Sequence, residues 1–416
     1  MKLNKQTIAL LLLICLSAEA IPLSAQTKKK GLKKTANISL NITNKKNFPP
    51  KTGLNIGLLS NFSRLNGVGI NLISSIVHYK VDGVQISGFA NVTGLNVSAF
   101  QLAGLANVTG DNSKGVLLAG LMNINGESAK GFQLSGLGNV TGKDLKGFSL
   151  GGLINLGGNN TGGLQIAGLG NISSKTNKGV AIGGLMNVVG ENTCGLQLTS
   201  LLNVAGKENR GLQLAGLGNV SVENKGVQLG ISNYSAQNNG LQVGIGNVVN
   251  ESQKGLQLGI VNVSQSDKTR QIGCINVKPE TRIQMIISGG NASKLNLAVR
   301  FKNRFTYTTL GAGTYHLGFD KDFSVSGFYR AGVHYPITSR FDISADMGFY
   351  HIETLDNKNN GYPARLYALQ PRLNLEYSIT RRLGVFASGG YEWLRRYKGE
   401  GKFDDKGVFE IGLVLF

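Results

Sequence analysis

Hydrophobic and polar positions recur with a short, fixed period through the centre of the chain. Gly83-Val-Gln-Ile-Ser-Gly-Phe-Ala-Asn91 is followed by Phe100-Gln-Leu-Ala-Gly-Leu-Ala-Asn107 and later by Gly211-Leu-Gln-Leu-Ala-Gly-Leu-Gly-Asn219. A fixed period of this kind is typical of a stacked-repeat protein. The asparagines that close the units are 16 residues apart at first and 14 or 15 apart at the end: Asn91, Asn107, Asn123, Asn139, Asn155, Asn171, Asn187, Asn203, Asn219, Asn233, Asn247, Asn262 and Asn276.

Each unit contains two short strands and two turns. In the copy that ends at Asn219, Leu212 and Leu214 alternate with Gln213, which is the spacing of a strand. Sixteen residues are too few for a transmembrane hairpin, whose strands need roughly 9–11 residues each. They are also too few for a helical repeat, which needs about 30 or more. The sequence therefore predicts a β-solenoid of about thirteen 14–16-residue coils over residues 53–281.

The residues on either side of the repeated asparagine are predicted to form the solenoid core. The residue two before it is Leu, Ile, Phe or Cys, and the residue after it is Val, Ile, Leu or Tyr. We expect continuous apolar columns inside, with the asparagines forming a structural ladder from coil to coil. Glutamines of the first strand, such as Gln101 and Gln213, are expected to face outward.

The two ends of the repeat region differ from its middle. Residues 53–80 are a degenerate copy of the repeat, as expected of a coil that caps a stack. After Asn219 the unit loses one residue at its Ala-Gly corner, as in Gly226-Val-Gln-Leu-Gly-Ile-Ser-Asn233. We therefore expect the coil to change near residues 226–233.

From residue 282 to 416 the pattern changes to strict alternation over longer strands. Eight candidate strands place apolar residues on one face, with aromatic residues near the strand ends, and charged residues on the other. This is typical of an outer-membrane β-barrel. The apolar face carries Leu297, Val299, Val325, Val333, Ile343, Met347, Leu373, Leu375 and Val385. The charged face carries Arg300, Arg330, Asp342, Asp346, Arg372, Glu376, Glu392 and Glu410.

The lengths of the connections support the same interpretation. Three turns, at residues 303–304, 336–340 and 378–382, are short, whereas the connections at 351–364 and 397–407 are long. Outer-membrane barrels have short periplasmic turns and longer outer loops. Counting strands from the N-terminal side then places the solenoid in the periplasm, and a surface-exposed solenoid remains the alternative.

The N-terminal region carries no repeat. Residues 1–25 combine an early positive charge, the apolar run Ile8–Leu16 and a small-residue cleavage site, which predicts a signal peptide. Residues 26–52 are predicted to be a basic tail or linker. Cys194 and Cys274 lie in different repeat registers and are expected to be free thiols.

The remaining composition argues against most chemical functions. A net charge of +20 invites a nucleic-acid interpretation, but no base-reading motif is present, and an anionic membrane or polysaccharide fits equally well. The four histidines lack metal-ligand spacing, and we find no catalytic, metal or cofactor-binding constellation. We therefore predict no enzyme activity. A β-helical carbohydrate-active enzyme is a third hypothesis, weakened by the missing acidic cluster on the coils.

One column of basic residues is a candidate contact for a polyanion. The position before the opening glycine of a coil carries Lys114, Lys130, Lys146, Lys178, Arg210, Lys225 and Lys254. Stacked coils would place these charges along one edge, where lipopolysaccharide, peptidoglycan or an acidic glycan could match them. The simpler alternative, a solvated edge that prevents sideways aggregation, is favoured.

On these motifs the chain resembles two known kinds of protein. The repeats resemble the Gly-Leu-Gln-Leu-Gly-Leu-x-Asn-Val surface-repeat proteins of Bacteroidota and spirochaetes. Residues 282–416, with turns such as Tyr377-Ser-Ile-Thr-Arg-Arg-Leu383, resemble the small eight-stranded outer-membrane barrels of Gram-negative bacteria. The resemblance implies an exported, surface-associated protein.

The leading interpretation is a non-enzymatic cell-envelope protein. Its solenoid would serve as a scaffold or spacer, and its C-terminal barrel would anchor it among outer-membrane lipids. The alternative is a surface-displayed or secreted adhesin-like solenoid that binds glycan or another acidic polymer and carries a soluble β cap. The oligomeric state is left open.

Overall fold

The structure is a computed structural model that describes residues 35–39, 51–316, 323–355, 363–397 and 402–416. Every regular element in these ranges is a β-strand. The predicted signal peptide lies outside the described residues, as does most of the predicted basic tail and part of each long loop of the C-terminal region.

The strands form two domains. Strands β1 to β26 make one parallel sheet wound as a solenoid, and β27 to β34 make a closed antiparallel barrel of eight strands. The predicted fold class, a β-solenoid of about thirteen coils followed by a barrel, is confirmed.

The solenoid strands are β1 (Thr35–Ser39), β2 (Thr52–Ser87), β3 (Ala90–Thr93), β4 (Asn96–Ala103), β5 (Ala106–Thr109), β6 (Ser113–Ala119), β7 (Met122–Asn125), β8 (Ala129–Ser135), β9 (Gly138–Thr141), β10 (Leu145–Gly151), β11 (Ile154–Gly157), β12 (Asn160–Ala167), β13 (Gly170–Ser173), β14 (Thr176–Asn177), β15 (Val180–Gly183), β16 (Met186–Val189), β17 (Asn192–Thr193), β18 (Leu196–Thr199), β19 (Leu202–Asn209), β20 (Leu212–Ala215), β21 (Gly218–Asn224), β22 (Val227–Leu229), β23 (Ser232–Asn238), β24 (Leu241–Glu251), β25 (Leu256–Ser264) and β26 (Arg270–Val277). The barrel strands are β27 (Arg282–Gly290), β28 (Asn296–Lys302), β29 (Thr306–His316), β30 (Phe323–Pro336), β31 (Phe341–Thr354), β32 (Arg365–Ser378), β33 (Leu383–Arg396) and β34 (Lys402–Leu415).

The coils stack so that equivalent residues of successive units align. Asn155 lies opposite Asn171, sixteen residues later, and the same step holds along the middle of the stack. Asn219 pairs with Asn233, a step of fourteen, and the corner break disappears in β24, which runs unbroken from Leu241 to Glu251. The coil thus changes from about residue 226 onward, in the region where the sequence indicates a change.

The N-terminal end of the solenoid begins earlier than residue 53. Strand β1 pairs in parallel with the start of β2, although it lies inside the segment predicted to be a basic tail. Strand β2 winds around the solenoid axis. This brings Asn55 next to Asn71, sixteen residues later, and Asn55 Nδ2 donates to Asn71 Oδ1 at 2.8 Å. Within the described coils of the solenoid, an apolar cluster fills the interior only at this end, and it includes Phe62, Leu65 and Val77.

Elsewhere the interior of the solenoid is polar, which reverses the predicted core. Asn107 and Gln101 are 1% and 0% exposed, whereas Leu105, two residues before the asparagine, is 42% exposed. The expectation that the apolar columns beside the asparagine form the core is therefore wrong. The expectation that the glutamines face outward is wrong as well.

Hydrogen bonds between coils explain why the amides are inside. Asn107 Nδ2 donates to Asn123 Oδ1 at 2.9 Å and to the backbone oxygen of Leu118 at 2.8 Å. The asparagine ladder runs without a break from Asn91 to Asn276. A buried amide whose partners are supplied by the coils above and below has no need of water, so its burial carries little penalty.

The spacing of the coils imposes glycine at the corner between the two strands. A Cβ atom on Gly152 would lie 1.8 Å from the backbone oxygen of Gly136 in the coil below. Ser200 occupies the same column, and there the hydrogen bond from its backbone nitrogen to the oxygen of Gly184 is 3.3 Å long, beyond the usual range. The Ala-Gly corner of the repeat is therefore a packing requirement.

The barrel has the inside and outside that the sequence predicts. Arg330, Arg372 and Glu392 lie in the lumen and are buried, whereas Val333 and Leu373 are exposed on the outer wall. Exposed aromatic residues lie near both ends of the strands, and the short turns and both chain ends of the barrel lie at one end. We call this end the short-turn end.

Replacing one member of the asparagine ladder is expected to destabilise the coils around it. Asn155 Oδ1 accepts from Asn139 at 2.8 Å, and its Nδ2 donates to Asn171 at 2.9 Å. Asn155→Ala removes one of the two acceptors of the buried Asn139 amide, which keeps the backbone oxygen of Leu150. Local protection should therefore fall by about 1–3 kcal/mol. Hydrogen exchange of peptides from residues 139–171 measures this loss.

Asn159→Ala is the matched control in the same coil. Asn159 is half-exposed on the turn and lies outside the ladder. Equal losses of protection in the two variants would show that the ladder does not hold the coils together.

Candidate functional site

The barrel lumen is filled by a network of charged and aromatic side chains. Arg330 Nη2 donates to Glu410 Oε2 at 2.9 Å, and Arg372 donates to the same carboxylate. Arg330 Nε also donates to the hydroxyl of Tyr350 at 2.8 Å. Nearer the short-turn end, Arg300 Nη2 donates to Glu376 at 2.5 Å. Because these charges satisfy one another, the lumen needs no ligand to neutralise it.

The described part of the lumen is tightly packed around its aromatic side chains. The cavity beside Tyr315, Tyr350 and Arg372 has a volume of about 10 Å³. This is close to the lower limit for one water molecule. The arrangement matches the packed interior expected of an eight-stranded barrel.

The short-turn end of the barrel has a basic rim. A recess of about 360 Å³ opens there, and its lining includes Arg282, Arg304 and Arg340. Its inner wall is already paired, because Lys302 Nζ lies 3.2 Å from Asp342. The arginines of the rim itself are exposed.

The outer surface of the solenoid carries a large apolar face. Each coil has five outward positions that are mostly apolar, and equivalent positions of successive coils form five columns. In the coil that contains Asn107 these positions are Phe100, Leu102, Leu105, Ala106 and Val108. Exposed members of the Leu105 column are Leu105, Leu121, Leu137, Leu153, Leu169, Leu185, Leu201 and Leu217. We call these columns together the apolar face. At roughly 4.8 Å per coil it extends over about 60 Å, and at about 20 Å of width its area is on the order of 1,000 Å². Monomeric soluble proteins rarely expose so large a patch.

The closing turns of the coils form a polar strip opposite the apolar face, which we call the basic edge. All seven predicted members of the basic column are exposed on it: Lys114, Lys130, Lys146, Lys178, Arg210, Lys225 and Lys254. Lys114 aligns with Lys130, and Lys130 with Lys146, in successive coils. Gly162 interrupts the column after Lys146.

Local ion pairs compensate part of this charge. Glu208 lies between Arg210 Nη2 at 2.7 Å and Lys225 Nζ at 2.7 Å. The hydrogen bond from Arg210, with a further one from Lys225, lowers the pKa of Glu208 below its usual value although burial opposes the shift. On the adjacent column Lys143 pairs with Glu127 at 2.5 Å. The basic edge thus carries charges of both signs, with more positive than negative charge.

The last coil of the solenoid lies against the outer wall of the barrel. Strand β26 contacts β28 and β29, and Thr308, whose side chain faces away from the lumen, is only 7% exposed. Tyr329, near the middle of β30, donates its hydroxyl to the backbone oxygen of Gly273 at 3.3 Å. Asn303, at the short-turn end, donates to the backbone oxygen of Asn276 at 3.4 Å. Barrel side chains therefore cap carbonyl groups of the final coil.

The polar turn of this coil lies at the short-turn end of the barrel. Asp267 Oδ1 accepts from the backbone nitrogen of Glu280 at 3.1 Å, and Lys278 Nζ donates to the backbone oxygen of Asp267 at 3.3 Å. Glu280 Oε1 accepts from the backbone nitrogen of Arg304 at 3.4 Å. The basic edge therefore meets the barrel at its rim, and Gly273 meets it higher on the wall.

The other candidate groups form no site in the described part of the chain. Cys194 is a free, exposed thiol on the basic edge, and Cys274 is a free, half-buried thiol near the barrel wall. His334 binds Asp342 and the backbone oxygen of Asn303. Within the described ranges no group of three metal-binding side chains occurs, and no helix is long and apolar enough to cross a membrane.

The sequence did not reveal the junction between the domains. Thr308, Tyr329 and Asn303 belong to strands or turns whose pattern matches the rest of the barrel. The one signal in the sequence is Thr308, a polar residue at an outward-facing strand position where the barrel mostly carries apolar residues.

Removing the carboxylate at the centre of the lumen is expected to weaken the barrel. Glu410→Gln leaves the buried guanidinium group of Arg330 without its counter-charge and leaves Arg372 with the more distant Asp346, at 3.8 Å. Breaking a buried pair in this way costs about 3–5 kcal/mol. The temperature at which the barrel loses its compact mobility on a semi-native gel should therefore fall. Glu353→Gln, which affects only exposed contacts with His351 and Arg365, should leave it unchanged.

The contribution of Glu208 is expected to depend on pH. Because its pKa is lowered in the folded state, the stabilisation is present above the unfolded pKa and is lost as pH falls through the folded pKa. Wild type should be more stable than Glu208→Gln at neutral pH, and the difference should shrink under acid conditions. Thermal unfolding of both proteins across the pH range measures this. A difference that grows on acidification would contradict the assignment.

Comparison with known proteins adds no functional assignment. No protein-family model matches the chain, and no curated protein is similar to it in sequence. The features of the molecule that bear on function are therefore the apolar face, the basic edge, the barrel wall and their arrangement.

Proposed function

We propose that the protein is a non-enzymatic component of the bacterial outer membrane, anchored by its C-terminal barrel. The observation that carries the proposal is the inverted distribution of polarity in the barrel. Its charged residues, such as Arg372 and Glu410, are buried in the lumen, and Leu373 on the outer wall is 65% exposed. In water this arrangement would expose an apolar belt to solvent, whereas lipid acyl chains would cover it.

The ends of the barrel support the same assignment. Exposed Phe305, Tyr335 and Phe341 lie at the short-turn end, and Trp393 and Tyr397 lie toward the other end. Tyrosine and tryptophan are enriched where a barrel crosses the two membrane interfaces. The arginines of the basic rim would face anionic head groups at the short-turn end.

The packed lumen favours an anchoring role over a transport role. The free space beside Tyr350 is only about 10 Å³, which is too small for a solute to pass at that point. The solenoid attached to it is a long structural element whose described coils contain no catalytic constellation. We therefore assign the solenoid a scaffold or spacer role in the cell envelope, on the periplasmic side if the short turns are periplasmic.

A charge placed on the barrel belt is expected to prevent anchoring. Leu373→Arg would place a cation among the acyl chains, at a cost of about 2–4 kcal/mol near the bilayer centre. Leu355→Arg is the matched control, because Leu355 is 62% exposed but lies in a loop beyond the strands. We expect only Leu373→Arg to reduce the heat-modifiable form and the outer-membrane fraction. Equal behaviour of the two variants, with soluble protein in both, would support a soluble β cap.

A further inference from the structure

We propose that the solenoid itself lies within the membrane, in the leaflet on the short-turn side of the barrel. Its apolar face would contact acyl chains, and its basic edge would lie among anionic lipid head groups. The proposal rests on the membrane assignment of the barrel made above. It changes the role of the solenoid from a rod that projects into water to an element embedded in the lipid layer.

The first argument is the polarity of the coils. The solenoid buries amides such as Asn155 and Gln197 and exposes leucines such as Leu153 and Leu185. This is the polarity of a membrane barrel, and it is the reverse of that of a soluble protein core. The inward amides bond from coil to coil, so acyl chains would meet a surface of apolar side chains over a hydrogen-bonded sheet.

The second argument is the position of the last coil. Tyr329 lies near the middle of β30, and its hydroxyl donates to Gly273 of β26. If the barrel spans the membrane, the middle of its outer wall lies in the hydrocarbon layer. A coil held against that wall is then at the same depth. The continuity between the solenoid and the barrel wall therefore points to lipid as the material that covers the apolar face.

The third argument is the orientation of the coil. Its polar turn, at Asp267, is tied to Glu280 and Arg304 at the rim of the barrel, whereas Gly273 lies higher on the wall. Each coil thus has its basic edge at head-group depth and its apolar corner deeper in the membrane. Asp267 and Gly273 are six residues apart, or roughly 20 Å of extended chain, which is comparable to one leaflet with its head groups.

The direction of the solenoid follows from the same contacts. Strand carbonyls in a solenoid point along its long axis, and the barrel wall caps two carbonyls of the final coil. The axis therefore runs into the side of the barrel. With the barrel upright, the stack of coils extends sideways, in the plane of the membrane.

Single-cysteine labelling of the full-length protein can test this placement. Native Cys194, in a Cys274→Ala background, reports on the basic edge. Leu185→Cys, with both native thiols of the mature chain replaced, reports on the apolar face of the neighbouring coil, and Leu153→Cys repeats the measurement two coils away. Leu373→Cys reports on the barrel belt. Each protein is labelled with a polarity-sensitive fluorophore and reconstituted in phosphatidylcholine–phosphatidylglycerol vesicles with or without acyl-brominated lipid.

We expect brominated lipid to reduce the fluorescence at 185, 153 and 373 and to leave that at 194 nearly unchanged. Loss at 373 without loss at 185 and 153 would overturn the proposal and leave the barrel anchor intact. Loss at none of the three would overturn both. Loss at 194 equal to that at 185 would overturn the placement of the basic edge among head groups.

A second copy of the chain is the competing occupant of the apolar face. Self-association would shift the emission of the label at 185 to the blue, and brominated lipid would not quench it. The shift would depend on the ratio of protein to lipid. That result would overturn the lipid assignment in favour of self-association.

Discussion

The hydrogen bond between side-chain amides of successive coils is the interaction on which the structure depends. It fixes the register, since each asparagine must lie over its predecessor, and it requires the amide face to be inside. Once the amides are inside, the alternation of the strand sends leucine, isoleucine and valine outward. The composition of the surface is therefore a consequence of how the coils are held together.

The two domains obey one rule of polarity with different topologies. The barrel closes eight antiparallel strands around paired charges such as Arg330 and Glu410, and the solenoid winds parallel strands around neutral amides. In both domains the main interior groups, the asparagine ladder and the paired charges, bond to one another, and apolar side chains face outward. The membrane placement proposed above would account for the polarity of both domains together.

The sequence predicts the architecture well and the orientation of the coils poorly. Spacing alone predicts the solenoid, its change after Asn219 and the barrel, because each follows from a sequence period. The inward position of Arg300 follows from the further observation that the alternating pattern is typical of an outer-membrane barrel. The period of two separates the faces of a strand but does not say which face is inside. The prediction that Leu105 lies in the core assumes that the outer surface of the solenoid faces water. The contact of Tyr329 with Gly273 was beyond prediction, since it joins two domains through residues of ordinary pattern.

The repeated corner glycine and the ladder also determine how the length of the solenoid can evolve. Every middle coil presents the same asparagine to its neighbours, and most present the same corner glycine, so the coils are close to interchangeable. Duplicating sixteen codons would add a coil and preserve every ladder, whereas an insertion of another size would shift the columns out of alignment. The coil number is thus open to selection in whole steps, and the reach of the protein from its barrel can lengthen or shorten without a new fold.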